Sequence, residues 1–137
     1  MVEISGEPFL NVIKVFTDAE ELINIAKSKY PQYELGSISR IKGLSVFFEE
    51  EKSRDIYLLL PKRFEPAIVA HECIHVSWHL FSKAGVKISP KNHEAQCYYV
   101  QYLIEQIQKN VYGKKRKANK TDGKIAPTGE EQSKELS

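Results

Sequence analysis

Cysteine is scarce: Cys73 and Cys97 are the only two in 137 residues, too few for the disulfide framework that staples small exported domains. Both are expected as reduced thiols, and read for packing alone they are small buried apolar residues. Long apolar runs are missing as well. No stretch approaches the roughly 20 residues of a membrane span, and the first residues lack the basic-then-apolar layout of a signal peptide. A cytoplasmic location with no membrane partner is therefore expected. Net charge is nearly absent, since 20 Lys and Arg stand against 18 Asp and Glu, which argues against a nucleic-acid-binding surface. No internal repeat is visible. Hydrophobic residues make up 42% and charged residues 28%, the composition of one globular domain large enough to fold without disulfides or a structural metal.

Histidine is also rare, with four in the chain, and two of them fall in His71-Glu72-Cys73-Ile74-His75. On a helix, residues four apart lie one turn and about 40° apart, so both imidazoles can reach one ion. Glu72 falls about 100° from His71, beside such an ion without being a natural ligand, in the position of a general base. When residues 68 to 84 are projected as a helix, His71, Glu72, His75, His79, Ser82 and Lys83 crowd into about a third of the circumference with Ile68 among them. Val69, Ala70, Cys73, Ile74, Val76, Trp78, Leu80 and Phe81 take most of the rest. That distribution predicts a helix central to the core whose polar wedge lines a cleft.

Around this helix the chain alternates short apolar runs with helical patterns. Met1 to Glu7 reads as loose, and Leu10 to Phe16 as a first strand. Thr17 with Glu20, or Asp18 with Glu21, forms a capping box for a helix carrying Leu22, Ile23, Ile25 and Ala26 that ends at Tyr30-Pro31. Gly43 to Glu49 and Asp55 to Leu60 make a hairpin. Pro66 opens the motif helix and Gly85 stops it. A last helix starts at Ser89-Pro90 or Asn92 and runs to about Tyr112, with Val100, Leu103, Ile104, Ile107 and Val111 as its core stripe. The expected fold is α+β, a three-stranded, mostly antiparallel sheet packed on the motif helix and two others. Residues 1 to 112 make the domain. Residues 113 to 137 have no apolar period and read as a disordered polar tail, in which Lys114-Lys115-Arg116-Lys117 is the one feature that speaks for nucleic acid.

A catalytic zinc site needs three protein ligands and one open position. His79 rises too far along the helix to join His71 and His75 on one ion, so it is cast as a wall of the site. Glu94, near the start of the next helix, is the leading third ligand, because a carboxylate from a second helix approaches the imidazoles from the side. Cys97 and then His93 are the alternatives, and an acid in a first turn is also favoured by the helix dipole alone.

His71-Glu72-x-x-His75 followed by Glu94-Ala95-x-x-Tyr98 resembles the zincin metallopeptidases of the glutamate-ligand type, the gluzincins, and in particular the small ImmA/IrrE-like peptidases and phage-encoded metallopeptidase-like proteins. The resemblance covers Pro66 to about Tyr102. It implies Zn2+ held by His71, His75 and Glu94, a peptide or protein substrate, and hydrolysis in which Glu72 takes a proton from a metal-bound water and passes it to the leaving amine. Tyr98 and His79 are then candidate donors to the developing oxyanion, and Tyr98 equally fits a packed core aromatic. A strand from 43 to 49 or from 55 to 60 is expected to pair with extended substrate. The other function the sequence permits is a zinc-bearing scaffold of the same shape without turnover, part of a phage or mobile-element assembly.

Overall fold

A computed structural model of the chain describes residues 1–38, 41–48 and 53–113. Its elements in order are β1 (Val2–Ser5), β2 (Val12–Phe16), α1 (Ala19–Lys29), β3 (Leu44–Phe47), β4 (Asp55–Leu59), α2 (Pro66–Lys83) and α3 (His93–Ile107), which continues as one π-helical turn, Gln108–Tyr112. The predicted tail beyond Gly113, with its basic run, lies outside the described residues.

The fold is a small α+β arrangement of three helices on a four-stranded mixed sheet ordered β1-β2-β4-β3. Three strands were expected; the fourth is β1, in the segment read as loose. Four residues are too short for periodicity to stand out, yet Val2 and Ile4 alternate with Glu3 and Ser5. The turn from Gly6, whose N–H donates to the Asn11 carbonyl at 2.9 Å, folds them back onto β2 with Ile4 opposite Ile13. The predicted hairpin forms as β3 antiparallel to β4. β4 also pairs with β2 in parallel, a pairing that requires a long connection, here the segment containing α1.

Each face of the sheet has its own core. Phe16, Tyr57 and Leu59 point towards α1 and meet Leu22, Ala26 and Tyr30. Ile13, Val15, Ile56, Leu58 and Leu60 point to the other side, where they meet Val69, Cys73, Val76 and Leu80 of α2 and Tyr99, Leu103 and Ile107 of α3. Because β4 is covered on both faces, its Ile56 to Leu59 run is buried without alternation, as in a central strand. Each fully buried Val, Leu or Ile contributes about 1.5–3 kcal/mol relative to exposure, so the four-residue stripe of α2 alone is a major part of what fixes that helix on the sheet.

The helix termini follow local chemistry. Asp18 is the N-cap of α1 and its carboxylate accepts from the Glu20 N–H at 3.0 Å. Pro66 occupies the first turn of α2, where its missing N–H has no helical partner to lose. Gly85, at φ +77°, follows α2 in the left-handed conformation that favours glycine. α3 begins after Asn92 and is tied back by hydroxyls: Tyr99 donates to the Gly6 carbonyl at 2.8 Å and Tyr102 to the Ser5 carbonyl at 3.1 Å.

Candidate metal centre

The stripe Val69, Cys73, Val76 and Leu80 faces the sheet, and that orientation turns His71 and His75 outward. Their Nε2 atoms lie 3.1 Å apart, with the rings tilted by 72°. Two nitrogens bound at about 2.1 Å to one tetrahedral ion stand about 3.4 Å apart, so the pair is within a few tenths of an ångström of chelating distance. Glu72 completes a group whose ligand atoms all lie within 4.8 Å of one another. This His71-Glu72-His75 group can hold a metal ion, and its donors suit a borderline cation such as zinc.

Glu72 differs from the two histidines in being buried, at 5% exposure. One residue before Cys73 in the helix, it is carried halfway towards the sheet and covered there by the edge strand β3. Alternation along that strand sends Leu44 and Val46 towards α1 and leaves Gly43, Ser45 and Phe47 facing α2. The Ser45 hydroxyl donates to Glu72 Oε2 at 2.9 Å. A Cβ on Gly43 would stand 3.1 Å from Glu72 Cγ and 2.8 Å from Ile68 Cγ2, so only glycine lets the strand approach the helix this closely. Phe47 stacks on His79, with centroids 3.9 Å apart. The other carboxylate oxygen, Oε1, lies 4.0 Å from His71 Nε2. Glu72 is thus held by one oxygen and faces the imidazole pair with the other.

The remaining predicted site residues sit as follows. Glu94 is exposed in the first turn of α3 and stands outside the His71-Glu72-His75 group. Cys97 is exposed one turn on. His93 is exposed, its Nδ1 2.9 Å from the Pro90 carbonyl. Tyr98 is 67% exposed, so the core-aromatic reading fails for it; Tyr99, the next residue, takes the inward position. His79 is half-buried under Phe47. Both cysteines are free, and Cys73 is fully buried, its thiol pushed up to about 12 by burial and then by the neighbouring Glu72 carboxylate.

Two features differ from the sequence reading. Ile74 and Trp78, placed in the apolar arc, are 45% and 56% exposed, because α3 covers less of α2 than a fully apolar surround requires. With Gln96, Cys97 and Val100 they line an open groove between the two helices. Ser45 and Gly43 went unnoticed as parts of the site. The alternation of 43 to 47 was legible, but which face meets α2 is set by tertiary pairing.

Compared with protein-family models, curated proteins and solved structures, the chain matches none. Among the described residues, no helix is long and apolar enough to cross a membrane.

Proposed function

We propose that this chain is a compact zinc-dependent peptidase in which His71 and His75 hold the ion, Glu94 supplies the third ligand and Glu72 is the general base. The observation that carries the reading is the contrast within one turn of α2: two exposed imidazoles spaced for an ion, and between them a buried carboxylate anchored through Oε2 with Oε1 turned towards them. A structural zinc site has no use for such a base and is closed by four protein ligands.

When bound, the ion supplies Lewis acidity, lowering the pKa of a water and polarising a carbonyl oxygen. The chain's own residues do the rest. Glu72 accepts a proton at Oε1 and returns it to the leaving amine. β4 is paired on both sides, so of the two strands expected to bind extended substrate only β3 keeps an edge unpaired among the described residues. Extended peptide adds to such an edge through main-chain hydrogen bonds.

A second reading, a metal-bearing scaffold without turnover, is favoured by the absence of Glu94 from the three-residue group. One comparison separates the two. Glu72→Gln keeps size and polarity, so metal content and melting temperature should hold while cleavage of a broad peptide library falls about a hundred-fold to ten-thousand-fold. Cleavage that persists in Glu72→Gln rejects the peptidase reading, and so does a zinc-loaded wild type that cuts nothing in the library.

A further inference from the structure

We propose that Ser45 is a positioning residue for Glu72: its hydroxyl, presented by the edge strand β3, selects which carboxylate oxygen is available to the imidazole pair. This rests on the reading of Glu72 as general base and adds a residue that the metal motif does not contain.

The terminal torsion of a glutamate is soft and roughly two-fold, so an unanchored carboxylate samples a broad range of planes. In this chain Oε2 accepts the Ser45 hydroxyl at 2.9 Å, while Oε1 is left 4.0 Å from His71 Nε2. One donor on one oxygen fixes the plane and assigns the oxygens different tasks. The strand is built for this contact. Gly43 removes the side chain that would push β3 away from Ile68 and the Glu72 stem, and Phe47 closes the other end by stacking on His79. Ser45 is paired with Leu58 of β4, so the hydroxyl sits on regular sheet rather than on a loop. A purely structural serine would also satisfy a buried acid. What distinguishes a positioning role is that the free oxygen points at the imidazoles and that losing the hydroxyl should change chemistry more than stability.

The test uses the full-length, zinc-loaded protein as wild type, Ser45→Ala, Ser45→Thr and Glu72→Gln. In the peptide cleavage assay Ser45→Ala should lower kcat about ten-fold to a hundred-fold, as misplacement of a reacting group does, with KM within about two-fold, and Ser45→Thr should recover most of the loss because it keeps the hydroxyl. A second measurement needs no turnover. Acetohydroxamate chelates zinc and gives its proton to an adjacent carboxylate, so its calorimetric Kd reports where Glu72 Oε1 stands. Ser45→Ala and Glu72→Gln should each weaken it about ten-fold or more, with Ser45→Thr near wild type. Equal affinity in wild type and Ser45→Ala overturns the proposal, as does a loss in Ser45→Ala that threonine fails to restore. The hydroxamate arm decides the matter even where the peptidase reading fails for want of cleavage, and a chain that takes up no zinc ends both at the first measurement.

Discussion

The Nε2 atoms of His71 and His75 stand 3.1 Å apart across one turn of α2, a spacing that suits either a hydrogen bond between the rings or a shared ion. We expect the ion. Purified protein should carry close to one zinc per chain by elemental analysis, and His71→Ala should carry almost none. Zinc at about a thousand times its Kd should add roughly 4 kcal/mol of stability. A metal-free protein whose melting temperature ignores added zinc contradicts this.

The third ligand can be assigned by subtraction. Glu94, Cys97 and His93 are all exposed at the start of α3 rather than locked in a core. Glu94→Ala should reduce zinc affinity far more than Cys97→Ser or His93→Ala, measured by competition with a chelator. If Cys97→Ser empties the site while Glu94→Ala leaves it full, the ligand set is two imidazoles and a thiolate.

The two cysteines should react very differently. Cys73 is fully buried with its thiol pushed up to about 12, and the thiolate is the reactive form, whereas Cys97 is exposed. Native protein should therefore consume one equivalent of Ellman's reagent per chain, denatured protein two, and native Cys97→Ser none. Two fast equivalents from the native chain would show that α2 is not packed on the sheet as described.

Acid should expose the role of Asp55. Partial burial works to raise its carboxyl, but hydrogen bonds from Lys29 and Tyr30 and the charges of Lys14 and Lys29 outweigh that effect and hold it below the usual carboxylate range. A depressed folded-state pKa contributes stability that is present above the unfolded value and lost as pH falls through the folded one. Wild type should therefore melt above Asp55→Asn near pH 7, and the gap should shrink between about pH 5 and pH 2. A gap independent of pH over that range would mean that the ion pairs are not what Asp55 contributes.

Much of this protein was legible before any coordinates. The paired imidazoles of His71 and His75, the glutamate between them, the cap at Asp18, the helix start at Pro66 and the stop at Gly85 are set by residues within a turn of one another, where helix geometry converts spacing directly into position. The hairpin was legible because two short apolar runs close in sequence can pair locally. Tertiary structure decided what depends on contacts between distant segments. The short β1 exists because β2 offers it an edge. β4 is interior because it pairs in parallel with β2 across more than thirty residues of chain, and that pairing leaves β3 as the strand beside the helix. Its Ser45 then meets Glu72 across 27 positions of sequence. Ile74 and Trp78 stay exposed because helical period tells which residues share a face and not how much of it a neighbour covers.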